Sequence, residues 1–273
     1  MSDVVTLTLR AALDAPLDVS HVTPDALATR SEPEIAALPV WFGARSAQLG
    51  EFFTVRGEHS ARVRVEGAVA QLDGLGSGMT TGELLVDGDA GRALAAGITG
   101  GSVEVRGSVG DAAAAAMAGG TLRVSGSAGD RLGAAAPGAS KGMTGGEIVV
   151  TGNAGAEAAA RARRGLVVVC GDVGERGARA MIAGSLVVLG RAGAGTGEGS
   201  KRGSVVTLGS VSVPATYAYA CTYHPPHVRL TLTYLRRRYM LTIDEHAVTG
   251  LYRRYCGDAG DVGKGEILQW VGE

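Results

Sequence analysis

Cys221-Thr-Tyr-His224-Pro-Pro-His227 is the segment whose residue types and spacing come nearest to metal chemistry. Zinc takes thiolate and imidazole in a tetrahedron, and His246 or Cys256 could complete the set. Two prolines stiffen the segment, and its spacing fits no common zinc module. A Tyr/His/Pro-rich docking loop is the better expectation, and no metal ligand is assigned. Gly138-Ala-Ser140-Lys-Gly142 matches the letters of a nucleophile elbow. An elbow needs a strand before the serine and a helix after it, whereas alanines and Pro137 lead in here. Gly74-Leu-Gly-Ser-Gly78 and Gly193-Ala-Gly-Thr-Gly-Glu-Gly199 resemble phosphate cradles but lack the GxxxxGK[ST] pattern and open no helix. No residue is assigned a catalytic role.

Arginines remain. Arg161, Arg163, Arg164, Arg176 and Arg179 leave their stretch three net positive charges after Asp172 and Glu175 are subtracted. Arg236 to Arg238 with Arg253 and Arg254 make a second cluster. Such groups are commonly a solvated face or interface ion pairs. The functional reading is the steering of an anionic ligand, for which Arg161, Arg163 and Arg164 are the candidate binding residues.

A repeat must position these groups. Short apolar strands end in glycine at Gly67, Gly88, Gly107, Gly126, Gly152, Gly171, Gly190 and Gly209. The spacings are 21, 19, 19, 26, 19, 19 and 19, the 26 holding a seven-residue insertion around Pro137 to Gly142. A second glycine precedes the last seven strands, at Gly82, Gly101, Gly120, Gly146, Gly165, Gly184 and Gly203. Three residues before these lie Met79, Ile98, Met117, Met143 and Met181, with Ala162 and Ser200 as exceptions. One such unit cannot bury its own apolar face, so like units stack. The expectation is an all-β, right-handed parallel β-helix of seven to eight turns, with glycine corners in positive φ. Ala112 to Ala116 alone would favour helix, but the run is in phase with the repeat, and the repeat is given priority.

The ends depart from the repeat. Residues 1–59 predict an α/β N-terminal cap: a strand over 4–9, a helix opened by Thr23-Pro24 and another by Ser31-Glu-Pro-Glu34. Residues 60–212 form the repeat, and the Tyr-rich residues 213–273 a mixed C-terminal cap or docking segment, the two caps hiding open strand edges.

The chain has 273 residues, a net charge of -1 and 44 glycines, with only 4% aromatics, so its core is aliphatic. That charge lacks the basic footprint of a nucleic-acid binder. No apolar run reaches the roughly 18 residues of a membrane span, and no signal segment is evident. A cytoplasmic protein without nucleic-acid or membrane partners is expected. Three cysteines without a CxxC pair supply neither a disulfide framework nor four cluster thiolates.

The unit G-G-x-[IVL]-x-V-x-G-x-[AV]-G resembles the glycine-repeat domain of the glutamate synthase large subunit. Four further stretches stand out: Thr23-Pro-Asp-Ala-Leu with Glu34-Ile-Ala-Ala-Leu-Pro39, Leu49-Gly-Glu-Phe-Phe-Thr-Val-Arg-Gly57, Pro137-Gly-Ala-Ser-Lys-Gly-Met-Thr-Gly-Gly146 and Gly257-Asp-Ala-Gly-Asp-Val-Gly-Lys-Gly-Glu266. Through these four the chain resembles the C subunit of formylmethanofuran dehydrogenase more closely. Composition and the 215–238 segment look like the bacterial form, in the formyltransferase/hydrolase complex. The resemblance implies a non-catalytic structural subunit beside hydrolase, formyltransferase and a further subunit. That complex acts in one-carbon metabolism and formaldehyde oxidation. It takes formyl-tetrahydromethanopterin to formate through a methanofuran-type carrier, with the metal in another subunit. An archaeal-type dehydrogenase subunit, a stand-alone β-helix enzyme and a synthase-like domain are the alternatives. Such an enzyme would need paired carboxylates, whereas Glu83, Glu104 and Glu147 alternate with Arg123.

Overall fold

The computed structural model describes residues 4–272. The outermost residues of the two expected caps, 1–3 and 273, lie outside that range. Strand β1 is Val5–Leu9, and the N-terminal segment continues with β2 (Leu17–Asp18), α1 (Pro24–Leu27), α2 (Glu32–Ala36), β3 (Pro39–Phe42), β4 (Arg45–Gln48), α3 (Leu49–Phe52) and β5 (Phe53–Arg56). The repeat supplies β6 (Arg62–Glu66), β7 (Leu72–Asp73), β8 (Glu83–Asp87), β9 (Ser102–Val105), β10 (Thr121–Val124), β11 (Glu147–Val150), β12 (Leu166–Val169), β13 (Ser185–Val188) and β14 (Arg202–Thr207). The chain closes with β15 (Ala218–Tyr223), α4 (Pro226–Tyr239), α5 (Glu245–Thr249), β16 (Tyr252–Gly257) and β17 (Lys264–Trp270). The protein is mostly β, and among the described residues the strands form one thirteen-stranded and one four-stranded sheet. Among the described residues no helix is long and apolar enough to cross a membrane.

From β8 to β14 each repeat strand lies parallel on its predecessor in unshifted register, so Val103, Leu122, Ile148, Val167, Leu186 and Val205 form one inward ladder. Every rung is buried. A second set of parallel bridges joins Ala90, Val109, Ala128, Ala154, Val173, Ala192 and Val211. The seven-residue insertion leaves the register intact: Leu122 pairs with Ile148 across it.

The glycine columns divide by cause. The column before the strands does take positive φ, from +79° at Gly120 to +105° at Gly184. A Cβ on Gly146 or Gly165 would also strike the buried Met117 or Met143 methyl at 2.6 and 2.7 Å. The column closing the strands corrects the expectation, since only Gly67 and Gly88 there have positive φ. At Gly126 the reason is close approach, a Cβ falling 2.7 Å from the Gly107 carbonyl carbon of the turn below.

The alanine run is not helical. Ala112, Ala114 and Ala116 have φ of +60°, +51° and +56°, alternating with residues of negative φ. Gly74, Gly76, Gly78 and Gly195, Gly197, Gly199 occupy the same three columns at the two ends. An L-residue in this region costs about 1–2 kcal/mol. Hydrogen bonds between turns offset that cost: the Ala112 N–H donates to the Asp130 carbonyl and the Ala114 N–H to that of Leu94, both at 2.8 Å.

The N-terminal segment follows its signals. Thr23 Oγ1 accepts from the Ala26 N–H at 3.2 Å, and Ser31 and Glu34 close a capping box. Strand β1 adds a parallel rung beside β6, with β5 antiparallel outside it. The C-terminal segment extends the sheet. β17 pairs in parallel with β14, β16 and β15 follow antiparallel, and α4 folds back over the sheet's outer face. There Val149, Val168, Val187 and Val206 are buried under Val228, Leu232, Leu235 and Tyr239. Each such valine contributes on the order of 1.5–3 kcal/mol when fully buried. On the earlier strands the same outward row reads Arg64, Leu85, Glu104 and Arg123.

Candidate functional site: a basic ladder at one corner of the repeat

The corner before each strand repeats in register, so residues 19 apart stack. The Arg163 N–H donates to the Met143 carbonyl, that of Ile182 to Ala162 and that of Lys201 to Met181, at 2.7, 2.7 and 2.8 Å. Arg163, Ile182 and Lys201 therefore form one column, and Arg164, Ala183 and Arg202 the next. Earlier turns carry Thr80, Thr99, Ala118 and Thr144 in the first column, so the basic character belongs to the last three turns. Arg163, Arg164, Lys201 and Arg202 are exposed around a groove of about 330 Å³, floored by Ile182 and Ala183 and walled by Val262. Ser140, Lys141, Arg161 and Ala180 line an adjoining 370 Å³ hollow that shares Ile182 and Lys201.

Among the described residues one acid answers these cations closely: Asp261 lies 3.7 Å from Lys201. Arg163 and Arg164 have no carboxylate partner among the described residues. Asp258 bolts the loop carrying Asp261 and Val262 to the repeat. Its carboxylate accepts from the Gly199 and Gly260 N–H groups at 2.8 Å each. The insertion closes the other side, the Gly142 N–H donating to the Arg161 carbonyl at 2.8 Å.

The arginines grouped by sequence thus separate. Arg163 and Arg164 lie on the ladder, and Arg161 stands at its flank, its guanidinium 3.5 Å from the Ala139 carbonyl. Arg179 pairs with Glu157 at 3.6 Å. Arg176 sits one corner away, in the column of Ala112 and Gly195. Lys141, Lys201 and Arg202 escaped the reading by clusters, although aligning the repeat in register exposes the last two. In the second cluster Arg236 pairs with Glu245, Arg254 with Glu266, and Arg238 lies over the Tyr239 ring.

The other motifs resolve individually. His224 Nδ1 contacts the Thr249 and Gly250 carbonyls at 2.8 and 3.0 Å, while His227 faces Glu266 at 3.5 Å and Cys221 is exposed on β15. Among the described residues no three His, Cys, Asp or Glu side chains converge as a metal would require. Ser140 is an exposed loop residue with neither strand before it nor helix after it. The cradle-like N–H groups are engaged, Gly74 with the Arg92 carbonyl and Gly199 with Asp258. Glu83 pairs with Arg62, and Glu147 accepts from tyrosines.

Fold and ladder define a mostly-β repeat protein with one cationic corner. No family model matches the chain. It is 32% identical over 96 residues to the C subunit of the molybdenum-containing formylmethanofuran dehydrogenase 1 of Methanosarcina barkeri, covering 33% of this chain and 32% of that one. It is 35% identical over 89 residues to the C subunit of the formyltransferase/hydrolase complex Fhc of Methylorubrum extorquens, covering 33% and 34%. These alignments span about a third of the curated relatives' length. Structural likeness reaches further. A chain of the crystal structure of the M. extorquens formyltransferase/hydrolase complex with methylofuran matches 98% of this chain and 100% of its own, at TM-score 0.91 and 33% identity. The chain belongs to the family of formylmethanofuran dehydrogenase C subunits.

Proposed function

We propose that this chain is the non-catalytic structural subunit of a cytoplasmic formyltransferase/hydrolase complex. Hydrolase, formyltransferase and a further subunit would be its partners. The observation that carries the reading is the end-to-end likeness, at 33% identity, to a chain of the M. extorquens complex. The reaction served is conversion of formyl-tetrahydromethanopterin to formate through a methanofuran-type carrier, in formaldehyde oxidation. The fold is read as a right-handed parallel β-helix over residues 60–212, between caps at 1–59 and 213–273. Its support is the pair of parallel ladders, one of strands and one of single bridges, recurring once per repeat.

Arg161, Arg163 and Arg164 are read as guides for an anionic carrier tail. Support comes from the absence of carboxylate partners for Arg163 and Arg164 among the described residues, from the groove these two share with Lys201 and Arg202, and from the hollow that Arg161 shares with Lys141 and Lys201. Clustered cations raise the local concentration of a polycarboxylate without a tight pocket. The test is purification of the tagged chain from its own host with mass spectrometry of what accompanies it. Hydrolase and formyltransferase subunits in fixed ratio support the reading; an amidotransferase partner, or none, overturns it. The chain by itself should show neither formyl transfer nor hydrolysis above a buffer blank.

A further inference from the structure

Two strands end the thirteen-stranded sheet, and they are finished differently. At one end α2 and α3 pack against β5. At the other lies β15, Ala-Tyr-Ala-Cys-Thr-Tyr, with no charge and no proline, all of it exposed except half-buried Tyr223. A strand with one edge unpaired invites another strand, and proteins ordinarily protect such edges with charge, proline, a bulge or a covering element. Of these β15 has only a single bulge between Tyr219 and Cys221, which leaves the Cys221–Tyr223 half of the strand regular.

The side chains point the same way. The inward ladder runs from Val205 through Ile267 and Tyr255 to Tyr219. Its rungs pass from buried Ile267 to half-buried Tyr255 to Tyr219, which is 59% exposed. The Tyr219 and Tyr255 rings meet edge to face at 6.1 Å, so the last rung is a held aromatic surface. Among the described residues, every exposed large apolar side chain except Trp41 lies beyond residue 212.

We propose that β15 is a strand-addition site. An extended, uncharged segment of a different polypeptide pairs with its free edge as a fourteenth strand and lays an apolar side chain on Tyr219. Main-chain hydrogen bonds supply the affinity in this mode, and alternate side chains supply the selection. A second copy of this chain is the poorer occupant. Antiparallel pairing of two β15 strands about a two-fold axis at their middle sets one bulge against the other, and a bulge bends its strand and breaks the ladder.

Backbone hydrogen exchange across β15 is the reporter. The full chain is purified with its accompanying subunits and, separately, alone, and exchange of the 218–223 amides is followed by mass spectrometry of peptides. Exchange of the amides on the free edge should be slower in the assembly by at least about tenfold, because a paired amide exchanges only on local opening. The double variant Tyr219→Lys with Thr222→Lys should melt as the parent does and lose its partner. Equal exchange across 218–223 in both preparations overturns the proposal, as does a folded double variant that retains every partner. A dimer of the isolated chain with the 218–223 amides protected overturns it in favour of self-association. Because the readout concerns any protecting polypeptide, it can succeed even where the accompanying subunits are not a hydrolase and a formyltransferase.

Discussion

The Tyr234 hydroxyl donates to the Glu147 carboxylate at 2.9 Å, joining α4 to β11 across 87 residues of sequence. The Tyr239 hydroxyl donates to the same carboxylate. Glu147 opens the first strand whose outward row turns from charge to valine, so this link marks where α4's cover begins. Burial, reinforced by the bond to Glu147, pushes the Tyr239 phenol well above its ordinary pKa. Glu147→Ala leaves that buried hydroxyl without its acceptor and should cost about 1–3 kcal/mol in denaturant unfolding. Tyr239→Phe should cost less, because Tyr234 still serves the carboxylate.

Positive φ makes opposite predictions for adjacent alanines. Ala112, half-buried at φ +60°, should accept glycine with a gain of up to about 1 kcal/mol, the relief of left-handed strain being reduced by a more flexible unfolded chain. Ala113→Gly should destabilise by roughly 0.5–1 kcal/mol, since a buried residue outside the left-handed region gains nothing from glycine's freedom. Equal signs in thermal unfolding would contradict the alternating backbone.

Gly146→Val should destabilise by more than about 1 kcal/mol from the φ of +86° alone, before the clash with the Met117 methyl is counted. Gly138, at φ +77° with open space around its Cβ position, is the control: Gly138→Val carries the strain without the clash. The difference between the two midpoints isolates the packing of the methionine column.

Asp258 sets an acid limb. Burial pushes its carboxyl pKa up, but hydrogen bonds from the Gly199 and Gly260 N–H groups and the Thr216 side chain leave it below the ordinary value. A folded-state pKa that is depressed contributes stability above the unfolded value of about 3.9 and loses it as pH falls through the folded one. Unfolding free energy measured from neutral pH downward should therefore fall in that window, and Asp258→Asn should flatten the fall.

Replacing Arg161, Arg163 and Arg164 with serine should leave assembly intact and weaken carrier use by the complex. The deficit should be largest at low ionic strength and shrink as salt is added, since screening acts over about 8 Å at physiological levels. A variant that fails to assemble identifies these residues as interface. One that works normally at every salt concentration ends the steering reading.

Spacing alone determined the parallel register, the equivalence of the corner glycines and the alignment of the methionines in one column. A stacked repeat brings each residue beside its equivalent one period on, 19 residues away in most turns, wherever a strand begins. Both capped helices near the N-terminus were legible for a related reason: Thr23 and the Ser31–Glu34 box act within a single turn of chain. Three features needed the tertiary structure. Ala112 to Ala116 alternate in handedness because bonds to neighbouring turns outweigh a local helical preference, and no window of sequence contains those bonds. The valines of β11 to β14 were visible as letters, but their partner, α4, arrives from 20 to 90 residues away and is chosen by apolar burial. The basic ladder likewise joins Arg163 and Arg164 to Lys201 and Arg202, two turns distant, and to Lys141 in an insertion that no periodicity describes. Like charges gather there because the stacking of the backbone decides their neighbours, and their own repulsion is too weak in water to oppose it.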